Sequence, residues 1–161
     1  MYSFPPFFTK QPNRDTEAKR IQIWRDLILS YSKFHKIFIL DLNEATSSSL
    51  FCNSTISRGL SKSDSLEILQ LMVSSGLAEW LPNDNSKCLI FWNKPSDWAD
   101  VIYSWVSKHC HSGSVMTLYE FNERKTGTEF AAIPEILLLK ALKVLEDQEK
   151  AVIMNAHDIT K

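Results

Sequence analysis

The sequence predicts an α+β chain, mainly helical, that uses one small unit twice. Three observations carry that expectation. Apolar residues recur at helical spacing in four long stretches, short apolar runs bounded by Pro, Asn and Ser lie between them, and the order of elements repeats. The long helices begin about 80 residues apart and the strands that follow them about 74 apart. Helix, strand, helix, helix, hairpin is the order of a winged helix, so two winged-helix domains in tandem are expected. The expected boundaries are an extended Pro/aromatic docking segment over 1–14, a first winged helix over 15–93 and a second over 94–161.

Each element has its own reason. Pro5, Pro6 and Pro12 forbid a stable helix at the start and favour an extended, polyproline-like path. Asn13 or Asp15 can cap a helix in which Ile21, Trp24, Leu27, Ile28, Tyr31 and His35 share one side. A short strand is expected over 37–40, then a Ser/Thr-rich loop with a turn at Leu50 and Phe51. Ser61 or Ser63 starts the next helix, with Leu66, Leu69, Met72 and Val73 inward, and Gly76 stops it. The runs 77–81 and 88–92 flank a polar turn and read as a hairpin. In the second copy, Ser96 caps a helix carrying Trp98, Val101, Ile102, Trp105 and Val106 on one face. A strand is expected over 115–119, a helix from Pro134 lined by Leu138, Ala141, Leu142 and Leu145, and a strand over 151–154. Units this small bury little surface, so their Trp and Leu faces are expected to pack the two domains on one another.

Composition excludes several classes. Hydrophobic residues make up 44% and charged residues 23%, a globular balance. The net charge of −1 supplies no field to draw the chain onto DNA or an anionic membrane. No run approaches the roughly 20 apolar residues of a membrane span. The odd number of cysteines, three and widely spaced, argues against a disulfide framework, and the early prolines against a signal peptide. A reducing, cytosolic location is the expectation.

Winged helices commonly read DNA, which needs Arg, Lys, Asn or Gln on the reading helix. The first candidate, over 63–75, contains Asp64 and Glu67 but no Lys or Arg, and the second sets Lys140 and Lys143 against Glu135 and Glu146. DNA binding as a transcription factor is therefore the alternative reading, not the leading one. Catalysis is weaker still: the chain has only four glycines and no phosphate-binding loop. His109-Cys110-His111 lacks a second ligand pair at usable spacing and reads as a helix end. His35 and His109 suit helix C-termini, His157 and Asp158 read as solvated, Cys88 as a small buried hydrophobe, and Glu79 and Glu120 have no acid/base partner. No catalytic residue, cofactor or metal is expected.

The first eight residues hold Tyr2, Phe4, Phe7 and Phe8 together with Pro5 and Pro6. One reading folds this segment back over a bare patch of its own domain. The other docks it into a partner, with each buried Phe contributing ~1.5–3 kcal/mol. Docking is favoured, because a free tail this apolar is an aggregation liability and prolines lower the entropy lost on binding.

Several fragments carry a family resemblance. They are the start from Tyr2 through Phe4-Pro5-Pro6-Phe7-Phe8 to Asn13, Leu50-Phe51-Cys52-Asn53, Leu77-Ala78-Glu79-Trp80-Leu81, Ile102-Tyr103-Ser104-Trp105-Val106, and Val115-Met116-Thr117-Leu118-Tyr119-Glu120. In this order they resemble the family of the smallest ESCRT-II subunit over nearly the whole chain. The resemblance implies tandem winged helices, two copies of the subunit in a Y-shaped complex, and docking of Pro5, Pro6, Phe7 and Phe8, with Phe4 beside them, on the subunits numbered twenty-two and thirty-six. It also implies that the second winged helix recruits the ESCRT-III subunit numbered twenty in multivesicular-body sorting of ubiquitinated cargo. A surface near Thr117, Tyr119 and Phe121, or the helix from Pro134, is the expected place. Peripheral association with the endosome membrane through the complex follows, without direct membrane insertion or nucleic acid. Relatives usually add an apolar strand after the acidic turn. Here the sequence reaches only Asp158-Ile159-Thr160-Lys161, so a shortened second wing is expected.

Overall fold

Six α-helices and five strands order themselves along the chain in a computed structural model that describes residues 2–110 and 113–155. The chain divides into two compact units, Met1–Trp92 and Asn93–Lys161.

In the first unit, α1 spans Arg14–His35 and Asn13 caps it by accepting from the backbone N–H of Asp15 and Thr16. Asp15 and Glu17 in the first turn suit the positive helix end. The inward stripe is Arg20, Trp24, Ile28 and Ser32 at i, i+4 spacing. Ile21, Leu27 and Tyr31 flank it half-buried, and His35, expected inward, is exposed. Strand β1 (Ile39–Asp41) leads directly into the short α2 (Leu42–Ala45), capped by Asp41. Strands β2 (Cys52–Asn53) and β3 (Arg58–Gly59) form a small antiparallel pair. Helix α3 spans Lys62–Ser74, with the Ser61 side chain accepting from Asp64 N–H.

Helix α3 is rotated from its expected setting. Ser65, Ile68, Leu69 and Met72 are buried, while Leu66 and Leu71 face solvent. The Ser65 hydroxyl tolerates burial because it donates to the Ser61 carbonyl at 2.9 Å. Gly76, at φ 72°, ends the helix as expected: its N–H reaches Val73 O, and Leu77 N–H reaches Met72 O. The hairpin follows as β4 (Ala78–Leu81) and β5 (Asp84–Ile90), tighter than expected because β5 starts at Asp84. The sheet order is β1-β5-β4, antiparallel throughout, with Cys88 opposite both Leu40 and Trp80. Leu40, Ala78, Cys88 and Ile90 join Trp24, Ile28, Phe51, Leu69 and Met72 in one core. Three helices against a three-stranded antiparallel sheet make this unit a winged helix.

The second unit repeats the helices. α4 spans Pro95–His109; Pro95 takes its first position and Lys94, not Ser96, is the cap residue. Trp98, Ala99 and Ile102 face inward. α5 spans Leu118–Arg124 and α6 spans Glu135–Asp147, whose buried side is Leu137, Leu138, Ala141 and Leu145. The strand expected over 115–119 does not form, because Thr117 and Glu120 exchange side-chain and backbone hydrogen bonds and start α5 there. Residues 151–154, also expected as a strand, pair with no other strand among the described residues. Ile153 N–H instead donates to Glu146 Oε1 at 3.2 Å. His111, His157, Asp158 and the shortened last strand lie outside the described residues.

Candidate functional site

Proline holds φ near −65°, a value shared by polyproline and 3-10 backbone, so it leaves ψ to be decided by what the neighbouring side chains can bury. At Pro5–Phe8 the outcome is a 3-10 turn, not the expected extended path. Phe4, preceding the prolines, stays extended, and its carbonyl accepts from Phe7 N–H at 3.0 Å. The turn swings Phe7 and Phe8 into the first unit's own core, where they are 4% and 3% exposed. Phe7 stacks on Trp24 at 4.4 Å between centroids and 4° between planes, and Phe8 meets the same indole edge-on at 5.5 Å. Tyr2 closes the group against Phe8 and Trp24. Its hydroxyl reaches the carbonyls of Ser49, Leu50 and Cys52, and its own carbonyl accepts from Asn53 Nδ2 at 2.9 Å. The expected turn at Leu50 and Phe51 is thus the far wall of this aromatic nest.

Polar groups, as well as the rings, hold the segment. The Phe7 carbonyl, deep in the core, accepts from Trp24 Nε1 at 2.9 Å and Arg20 Nη1 at 3.4 Å. Arg20 is almost fully buried and forms a bidentate pair with Glu17 at 2.9 and 2.6 Å. The guanidinium holds the Glu17 carboxyl below its ordinary pKa, against the opposing push of burial. Glu17 Oε2 also accepts from Gln11 N–H at 2.7 Å, and Gln11 Nε2 donates to the carbonyls of Pro6 and Thr9. Lys10 pairs with Glu67 on α3 at 2.9 Å.

The other half of the segment stays outside. Phe4 is 57% exposed and Pro5 and Pro6 are exposed with it. Phe4, Pro6, Lys19 and Ile23 border a shallow, mostly apolar groove of about 210 Å³. Of the five residues expected to dock, three therefore form a surface and two form its foundation. Arg20, Glu17 and Gln11 were missed. The available signal was the i, i+4 row Arg20-Trp24-Ile28, which puts an arginine on the buried side of α1 three residues from a glutamate.

The second expected surface also divides. Thr117 caps α5, and Tyr119 is 71% exposed beside exposed Val115 and Leu118. Phe121 is buried, stacked on Phe130 at 5.7 Å and edge-on to Trp105 at 5.9 Å. His109 rests on the Trp105 ring and its Nδ1 lies 3.0 Å from the Trp105 carbonyl. Among the described residues no group of three His, Cys, Asp or Glu is placed to hold a metal. No helix of the described residues is long and apolar enough to cross a membrane.

The helices that would enter a DNA groove carry other chemistry. α3 begins one residue earlier than expected and so gains Lys62, but its ammonium donates to Asn43 Oδ1 at 2.7 Å, and the outer face shows Leu66 and Leu71. On α6, Lys143 is paired with Glu146. Fold and surface together define a tandem winged-helix protein whose candidate reading helices expose apolar side chains such as Leu66, Leu71 and Leu139.

The family follows from comparison with known proteins. The model of the ESCRT-II complex subunit family matches residues 1–134, and the chain belongs to that family. Vacuolar protein-sorting-associated protein 25 of Xenopus laevis is 40% identical over 159 residues, covering 98% of this chain and 91% of the relative. The Arabidopsis thaliana protein of that name is 42% identical over 151 residues, 92% of this chain and 83% of the relative. The crystal structure of subunit VPS25 of the endosomal trafficking complex ESCRT-II superposes with a TM-score of 0.83 at 30% identity, over 98% of this chain and 92% of that one. A second match, at TM-score 0.81 and 30% identity over 98% and 93%, comes from the crystal structure of the endosomal complex ESCRT-II (VPS22/VPS25/VPS36).

Proposed function

We propose that this chain is a non-enzymatic ESCRT-II subunit that docks on VPS22- and VPS36-type subunits through Phe4, Pro5 and Pro6, with Phe7 and Phe8 seating that face from within. The carrying observation is the split of one short segment into an exposed half and a buried half. An exposed aromatic held beside a hydrogen-bonded, proline-containing turn loses less backbone entropy when a partner covers it than one on a free tail, which suits a hot spot. Two copies per complex, peripheral placement at the endosome membrane and delivery of ubiquitinated cargo to multivesicular bodies belong to the same reading. The division into a first winged helix that assembles and a second that recruits the ESCRT-III subunit numbered twenty is part of it too. Tyr119, with Val115 and Leu118 around the Thr117 cap, is the surface we assign to recruitment, and Phe121 supports it from inside.

Co-purification with the other two ESCRT-II subunits tests the assembly claim. Phe4→Ala should weaken recovery of the complex while the free chain keeps its melting temperature. Recovery equal to the native chain removes Phe4 from the docking face. For recruitment, Tyr119→Ala should reduce capture of the ESCRT-III subunit by assembled ESCRT-II, and undiminished capture moves that surface elsewhere.

A further inference from the structure

A buried ion pair is a costly way to hold a protein together, and similar-sized apolar residues often stabilise as well or better; what it can do is select one geometry. The Glu17–Arg20 pair, with Arg20 buried and Glu17 at the edge of solvent, sits beside an aromatic core that already anchors Phe7 and Phe8, so the segment does not need it for burial. What the pair adds is direction. Arg20 donates to the Phe7 carbonyl, Glu17 accepts from Gln11 N–H, and Gln11 returns to the Pro6 and Thr9 carbonyls. The 3-10 turn is thereby tied at its middle and just beyond its end, next to the groove that Phe4 and Pro6 line.

We infer that Glu17 and Arg20, with Gln11, are positioning residues for partner recognition: a polar latch that holds the Pro5–Phe8 turn so that Phe4, Pro5 and Pro6 are presented in their docking orientation. The inference rests on the docking reading above. A pre-organised face binds more tightly because its ordering cost is met on folding instead of on association. The latch therefore acts on affinity more than on stability.

The test titrates full-length variants into the preformed pair of the other two ESCRT-II subunits and records the melting temperature of each free variant. Glu17→Met with Arg20→Met fills the same space without polar ties. Its melting temperature should hold or rise while its affinity falls roughly tenfold, opposite movements that a merely structural pair does not produce. Gln11→Ala leaves the core intact and should weaken binding by about threefold, so it decides the matter if the double variant does not fold. Phe4→Ala runs in parallel. Weak binding by Phe4→Ala with native affinity in both latch variants overturns the latch and leaves the docking face standing. Native affinity in Phe4→Ala overturns the docking face, and the latch falls with it.

Discussion

At the scale of single residues, the first eight positions contain two kinds of aromatic that composition cannot tell apart. Phe4 and Phe7 have the same side chain, and only the 3-10 turn decides that one meets water and the other Trp24. Trp24→Ala should cost about 3–5 kcal/mol in chemical denaturation, since it removes a fully buried indole together with the donor to Phe7 O. Phe4→Ala should fall within about 0.5 kcal/mol of the native chain in the same measurement. Protons give a second handle. Glu17 has its carboxyl pKa lowered by Arg20, so the stability it contributes is present above its ordinary value of 4.5 and is lost as pH falls through the lower folded value. Acid titration followed by tryptophan fluorescence should show that loss, and Glu17→Gln should flatten it. Cys88 moves the other way: burial pushes its thiol from 9.0 up to about 12, so its contribution holds below pH 9 and fades between those values. A thiol reagent at pH 8 should modify exposed Cys52 at once and reach Cys88 only on unfolding. Burial of Cys88 was legible from its strand position; burial of Arg20 was not, because a charged residue is assigned to the outer face unless its partner is noticed.

At the scale of elements, the sequence was most readable where two signals agreed. Helix α1 has a capping residue and a long apolar stripe, and it begins within a residue of its expected start. The Gly76 stop is equally clear, because only a left-handed residue completes that pair of hydrogen bonds. Misreadings came where local signals conflicted. Val115, Met116, Thr117, Leu118 and Tyr119 look like a strand by β propensity, yet Thr117-x-x-Glu120 is also a capping box, and the box prevailed. Thr117→Ala should lower stability by about 1 kcal/mol, read as a loss of helical signal at lower temperature in the second unit. The segment 151–154 alternates half-buried and exposed residues as a strand would, but alternation alone supplies no partner strand. The Pro-Pro turn belongs to this scale too: proline sets φ and is silent about ψ.

At the scale of the whole molecule, the repeat was legible in the helices, with α1 and α4 starting at Arg14 and Pro95 and α3 and α6 at Lys62 and Glu135, but not in the strands, because the one expected over 115–119 gives way to α5. What recurs is the helical frame. The antiparallel sheet β1-β5-β4 belongs to the first unit, while the described part of the second contains helices only. The division falls after Trp92, whose indole N–H donates to the Ile37 carbonyl at 2.9 Å and whose ring meets Phe38 at 5.1 Å. A fragment ending at Trp92 should unfold in one cooperative transition, and one ending at Phe91 should be less stable by about 3 kcal/mol in urea.

The split of the N-terminal segment also decides how freely its letters can change. Positions 7 and 8 answer to this chain's own core, so a smaller residue there is punished whether or not a partner is present. Positions 4, 5 and 6 are exposed, and under the docking proposed above they answer to a partner surface, Phe4 most freely because it lies before the turn that Pro5 and Pro6 shape. If the docking reading holds, substitutions at Phe4 can retune the contact with a changed partner at little risk to the chain's own fold.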